Sequence, residues 1–182
     1  MKIAITGHSK GLGKALYNSL IKQGHTCYGF SRSNGYDISE RQDRKAIIFK
    51  AKDCDVFINN AYHEFAQCDL LEDIFEHWRD NPKGTIININ SRSKYGLGNA
   101  KFYGQTKMEL FKIAKRMMFA EQKKCRIINI NPGYIKTDMV AHVPDTVKML
   151  SPQECADMII WAMDQPQGIE IGELSCWRTF IA

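Results

Sequence analysis

Tyr103 and Lys107 stand four residues apart in Tyr103-Gly104-Gln105-Thr106-Lys107, so one helical turn puts a phenol and an ammonium on the same face. A free phenol ionises near ~10, too high for ready proton exchange at neutral pH. An ammonium about 4 Å from the phenolate contributes roughly 4 kcal/mol at an effective dielectric of about 20, enough to bring the phenol toward ~7. Such a phenol is a working general acid and base. Ser91 lies twelve residues before Tyr103, behind the β-type run Asn88-Ile89-Asn90, where its hydroxyl can polarise a bound carbonyl. Ser93 is the alternative for that role. Spacing alone is weak, because a chain with seven tyrosines produces such a pair about once by chance. Order and context set this pair apart.

The context is a glycine loop. Gly7-His8-Ser9-Lys10-Gly11-Leu12-Gly13 follows the first β-type run and opens a helix. Glycines let a backbone approach phosphates, and the helix adds its positive N-terminal end. The next strand ends in Phe30-Ser31-Arg32-Ser33, where an NAD site usually carries an acid for the adenosine ribose. Arg32 with the Ser31 and Ser33 hydroxyls, and Lys10 as a second cation, suits the 2′-phosphate of NADP(H) instead.

The elements that must hold these residues alternate. Short β-branched runs at Lys2–Thr6, Thr26–Ser31, Asp55–Asn59, Thr85–Asn90, Arg126–Ile130 and Gly168–Ile171 read as strands. Between them lie helical patterns over about Gly11–Gln23, Ser39–Ala51, Leu70–Trp78, Phe102–Glu121 and from Ser151 on. Gly24 stops the first helix. Ser39 and Gln42 have capping-box spacing for the second, and Ser151-Pro152-Gln153-Glu154 has it for the last, with proline at the first helical position. The reading is an α/β fold: a single Rossmann-type, doubly wound and mainly parallel sheet with helices on both faces. Residues 1–182 read as one domain, with a cofactor half over about 1–90 and a catalytic and substrate half over about 91–182.

Bulk properties narrow the function classes. The net charge of +5 is spread along the chain, which predicts a solvated surface and no nucleic-acid partner. Apolar runs are far shorter than the ~20 residues of a membrane span, and no signal core is visible, so no membrane partner and a cytoplasmic location are expected. Six cysteines without ligand spacing predict reduced thiols and no metal site.

At this point the residues resemble the short-chain dehydrogenase/reductase family, in order along nearly the whole chain, in an unusually short form. Thr6-Gly7-x-x-x-Gly11-x-Gly13 is similar to the family's cofactor loop, and Asp37-Ile38 to its adenine-contacting pair. Asn59-Asn60-Ala61 resembles its Asn-Asn-Ala-Gly motif, with Tyr62 in place of the glycine. Asn88-Ile89-Asn90-Ser91 resembles the serine strand and Tyr103-x-x-x-Lys107 the catalytic pair. Asn131-Pro132-Gly133-Tyr134-Ile135-Lys136-Thr137 is similar to the segment that closes over the nicotinamide. The resemblance implies that Lys107 also holds the nicotinamide ribose hydroxyls and that Thr137 contacts the carboxamide.

It further implies an NADP(H)-dependent carbonyl reductase or alcohol dehydrogenase acting on a small carbonyl or hydroxyl substrate, as a homodimer or homotetramer built on the helices before Ser91 and through Tyr103. Only a few residues separate Arg32 from Asp37, so the third strand is expected to be vestigial around Tyr36–Ile38 and the helix before it missing. Most members place an asparagine before the serine strand, in a water-linked proton relay to the lysine. Asp69 is nearest here, with Gln67 its neighbour. This departure motivates an alternative, a dinucleotide-binding regulatory or scaffold protein with little turnover. Substrate contacts are expected from Tyr95, Tyr134, Met139, Val140, Met149 and Leu150.

Overall fold

The computed structural model describes residues 1–96, 101–144 and 146–179. Six parallel strands form one sheet: β1 (Lys2–Thr6), β2 (Thr26–Phe30), β3 (Val56–Asn59), β4 (Thr85–Ile89), β5 (Arg126–Pro132) and β6 (Glu173–Cys176), in the order β2-β1-β3-β4-β5-β6. The connections are helical, as parallel neighbours require. α1 (Gly11–Lys22) and α5 (Pro152–Met163) bury Leu16, Leu20, Ile159 and Ile160 in a core with Ile3, Ile5, Ile58, Ile87 and Ile128. α2 (Arg41–Ala51), α3 (Ala66–Trp78) and α4 (Lys101–Met118) cover the other face over Ala4, Phe57, Ile86 and Ile127. This is the doubly wound α/β fold read from the periodicities.

Four local expectations change. No strand forms at Tyr36–Ile38; one 3-10 turn (Arg32–Asn34) and a Gly35 at φ 85° lead straight to α2, and β2 is left as the sheet edge. α2 starts at Arg41 with Glu40 as its cap residue, because the Ser39 hydroxyl donates instead to Asp37 Oδ1 at 2.8 Å. The last strand lies at Glu173–Cys176 and not at 168–171. Gly168 turns at φ 92°, Glu170 Oε1 accepts the Ile127 N–H, and the Ile169 and Gln165 carbonyls accept from the buried Arg126 guanidinium. α4 ends at Met118, short of Glu121. The capping box of α5 forms as read, with Ser151 and Glu154 exchanging bonds of 3.1 and 2.8 Å.

The α3/α4 face of the sheet carries a row of amides. Asn59, Asn88, Asn129 and Glu173 are partners in register across β3, β4, β5 and β6. Asn59 Nδ2 donates to Asn88 Oδ1 (3.2 Å), Asn88 Nδ2 to Asn129 Oδ1 (2.8 Å), Asn129 Nδ2 to Asn131 Oδ1 (3.0 Å) and Asn131 Nδ2 to Glu173 Oε1 (2.8 Å). A carboxylate only accepts, so Glu173 terminates a ladder whose donors all point its way. Its Oε1 also accepts from Tyr95 Oη (3.1 Å) and from Lys94 Nζ (2.5 Å), whose side chain is wholly buried and lies over Phe111. This pair ties the turn after Ser91 to β6.

Removing the carboxylate would strand the buried Lys94 cation, whereas removing Lys94 leaves a carboxylate that still reaches solvent. Glu173→Leu is therefore expected to lower the unfolding free energy by about 3 kcal/mol. Lys94→Met should cost less than half of that, both read from urea denaturation.

Candidate active site

Gly7–Gly13 follow β1, Ser31–Ser33 follow β2, Asn60 and Ala61 follow β3, Ser91 follows β4 and Pro132 ends β5, at the carboxyl edge where ligands bind in open parallel sheets. Leu12 is buried in the core beneath α1, 7% exposed. Gly7 and Gly11 take φ values of 71° and 52°, which only glycine adopts without strain. A Cβ on Gly13 would stand 2.1 Å from the Gly7 carbonyl oxygen. Thr6 Oγ1 braces the loop by accepting the Asn60 and Ala61 N–H groups, each at 3.0 Å, and Asn60 Nδ2 donates to the Thr6 carbonyl at 2.9 Å. Asn60 thus shapes the loop with its side chain.

The first turn of α1 has no side-chain cap and no acid, leaving its N–H groups for an anion. Those features fit a dinucleotide pyrophosphate. Ser9 and Lys10 precede that turn, and Thr137 closes on it, its Cγ2 placed 3.1 Å from where a Gly11 Cβ would be.

After β2, Ser31 Oγ and Ser33 Oγ converge to 2.8 Å beside the exposed Arg32. Asn34 fixes this turn by accepting the Ser31 N–H (2.8 Å) and donating to the Gly29 carbonyl (2.9 Å). Asp37 accepts the Ser39 N–H and hydroxyl, which hold its carboxyl below the usual range, and the Arg32 guanidinium adds to the effect. Ile38 is buried in the core with Phe30 and Ile47.

Ser91, at the end of β4, caps the 3-10 turn Arg92–Tyr95; its hydroxyl accepts the Ser93 N–H (3.1 Å) and lies 3.2 Å from Ser93 Oγ. α4 presents Tyr103 and Lys107 on the same side, as the spacing requires. Their electrostatics differ from the expectation. Lys107 Nζ lies 5.5 Å from the centroid of the Tyr103 ring and donates to Gln67 Oε1 (2.7 Å) and the Ile89 carbonyl (3.1 Å). Burial pushes the Tyr103 phenol up to about 12, the neighbouring Ser91 hydroxyl pulling the other way, and burial pushes the Lys107 ammonium down to about 7. Desolvation is the largest influence on both groups, so the phenol keeps its proton at neutral pH.

Two further neighbours, Tyr62 and Gln67, make contacts that the sequence did not assign to them. Tyr62 packs its ring edge-on to Tyr103, with centroids 4.9 Å apart, and lies 5.2 Å from Lys107 Nζ. Gln67 contacts Lys107 directly, whereas Asp69 turns to the surface and pairs with Arg44 at 3.1 Å. Helical spacing was the available signal: Gln67 is three residues before Leu70 and four before Leu71, on the buried stripe of α3, while Asp69 is off it.

At the end of β5, Gly133 N–H donates to the Cys176 carbonyl (2.7 Å), placing Pro132-Gly133 beside Trp177, and the Arg92 guanidinium stacks 4.0 Å from the Trp177 ring. Ile135 bridges to Leu150, which is buried in the core and unavailable as pocket lining; Tyr134 and Met139 are exposed.

Residues 64–148 match the family model for short chain dehydrogenases. The chain is 25% identical to dehydrogenase/reductase SDR family member 11 of Homo sapiens over 238 aligned residues, covering 93% of this chain and 91% of that protein. It is 22% identical to an uncharacterized oxidoreductase of Staphylococcus saprophyticus, covering 96% of each. The closed form of serine dehydrogenase complexed with NADP+ superposes with a TM-score of 0.84 at 15% identity, over 100% of this chain and 98% of that one. The 3-ketoacyl-(acyl-carrier-protein) reductase of Brucella melitensis complexed with NADH superposes at 0.81 and 19% identity, over 97% and 96%. The chain is thus similar to short-chain dehydrogenases and reductases, in sequence over residues 64–148 and in fold along its length. Among the described residues no helix is long and apolar enough to cross a membrane.

Burying Lys107 gives stability a pH dependence of definite sign. Between about pH 7 and the ordinary lysine range, the unfolded chain holds a proton that the folded one does not, so stability rises with pH there. The cost is fully present below about 7. Lys107→Met lacks it, so the wild type should gain stability relative to the variant as pH is raised from about 7 to about 9.5, below the range where Tyr103 ionises. Urea denaturation of both proteins across that range checks it.

Proposed function

We propose that the protein is an NADP(H)-dependent oxidoreductase of the carbonyl reductase or alcohol dehydrogenase type, with Ser91, Tyr103 and Lys107 as its catalytic residues. The observation that carries this reading is their convergence at the carboxyl edge of the sheet, beside an uncapped helix N-terminus that follows a glycine loop. The backbone of Gly7, Ser9, Gly11, Leu12 and Gly13 takes the pyrophosphate. Arg32, Ser31, Ser33 and Lys10 take the 2′-phosphate, and Asp37 and Ile38 border the adenine. Asn60, Ala61, Pro132, Gly133, Ile135 and Thr137 flank the nicotinamide side. The NADP+ and NADH in the two superposed proteins support a nicotinamide dinucleotide in general, and Arg32 supports the phosphorylated form.

The nicotinamide, when bound, supplies or accepts a hydride. Ser91 donates a hydrogen bond to the substrate oxygen, drawing charge toward it. Tyr103 passes its proton to that oxygen as the carbon is reduced, and takes it back in the reverse direction. A phenol that holds its proton through neutrality starts in the state that carbonyl reduction needs. Lys107 stabilises the phenolate left behind and orients the nicotinamide ribose. A homodimer or homotetramer on α3 and α4, acting in the cytoplasm on a small-molecule substrate, belongs to the same reading.

One observation favours the alternative, a dinucleotide-binding regulatory or scaffold protein: Lys107 donates to Gln67 and Ile89 and not to the Tyr103 hydroxyl. Turnover separates the two. With NADPH and a panel of aldehydes and ketones, Tyr103→Phe should lose about 100-fold or more in kcat while binding NADPH as the wild type does. NADPH binding with no Tyr103-dependent turnover would favour the alternative. Arg32→Asp should weaken NADPH about 10-fold or more and leave NADH within a few-fold, by fluorescence titration.

A further inference from the structure

Lys107 is 3% exposed and, among the described residues, faces no carboxylate. The titratable groups around it are Tyr103 on its own helix, Tyr62 from the segment after β3, and Cys68 on α3. Its partner is the neutral amide of Gln67, 1% exposed, at 2.7 Å. The orientation of that amide is settled by its other contacts. Gln67 Nε2 donates to the Asn59 carbonyl (2.9 Å) and the Ile89 carbonyl (3.0 Å), so its oxygen must face the lysine. Asn59 returns a bond from Nδ2 to the Gln67 carbonyl (3.0 Å), and the Ile89 carbonyl also accepts from Lys107 (3.1 Å).

We infer that Gln67 is a positioning residue for Lys107, holding the ammonium through an uncharged amide that the ends of two adjacent strands lock in place. The asparagine ladder stands behind it, because the Asn59 amide that grips Gln67 is the first rung of the row ending on Glu173. An amide attracts an ammonium less than a carboxylate does, so it fixes the lysine's place without fixing its charge. The lysine is thereby free to lose or regain a proton close to neutral pH, the direction in which its burial already acts. The functional meaning of this device rests on the reading of Lys107 as part of the acid–base centre; the device itself does not.

The test is a titration of the protein without nucleotide, carrying 13Cε-labelled lysine and followed by NMR, with the Lys107 signal assigned by its loss in Lys107→Arg. The wild-type midpoint should fall near 7. Gln67→Glu should raise it by about one pH unit or more, and Gln67→Met should lower it. Gln67→Glu keeps the side-chain shape, so it remains a test if Gln67→Met does not fold. A Gln67→Glu midpoint within about 0.3 pH unit of the wild type overturns the inference. If the midpoint moves as expected but turnover does not depend on Tyr103, the oxidoreductase reading fails and the positioning role stands. If turnover depends on Tyr103 but the midpoint does not move, the positioning role fails alone.

Discussion

Polar side chains buried on one face of a parallel sheet are costly unless they satisfy one another, and here the amide donors do so along one row, with only the Asn59 Oδ1 at its start unpaired among the described atoms of that row. Asn59, Asn88 and Asn129 occupy the same register position on three adjacent strands, and Glu173 occupies it on the fourth. Slipping any of these strands by one residue would turn an amide into the apolar core under α1 and α5 and leave its neighbours unpaired. The ladder therefore specifies strand register, and its two ends serve the site. At one end Glu173 and Lys94 pin the turn after Ser91. At the other Asn59 grips Gln67, which grips Lys107.

The shortening of the chain spares this centre. The third strand and the helix before it are gone, and what remains is a turn at the free edge of β2. That turn still brings Ser31, Arg32 and Ser33 together, because Asn34 closes it through backbone contacts. Tyr36 packs edge-on to Phe30, with centroids 5.0 Å apart, and Ile38 fills core space beneath. An edge so trimmed is compatible with adenosine recognition by local hydrogen bonds, without a further strand to support it.

Much of this was legible in the residues. Five of the six strands and all five helices follow from alternation and periodicity, since each element buries a regular apolar face. The placement of candidate residues was legible where local geometry leaves little choice: Gly13, where a side chain would strike the Gly7 carbonyl, and Tyr103 with Lys107 on one helix face. What was not legible depends on three-dimensional partners. The β-like run at 168–171 is consumed in capping Arg126 and the start of β5. Tyr103 and Lys107 are too buried for spacing to predict their ionisation, because desolvation has no signature in a motif. Gln67 was seen as a neighbour of Asp69, yet only helical phase decides which of them turns inward.

The central claim is that a hydride moves at the site defined by Ser91, Tyr103 and Lys107. The most direct measurement follows deuterium from NADPH labelled at the nicotinamide C4 into the alcohol product of a reducible carbonyl. Transfer of one deuterium to the carbinol carbon, from a single face of the nicotinamide, is the result the account predicts. Saturable NADPH binding with no label in any product across a broad carbonyl panel would contradict it.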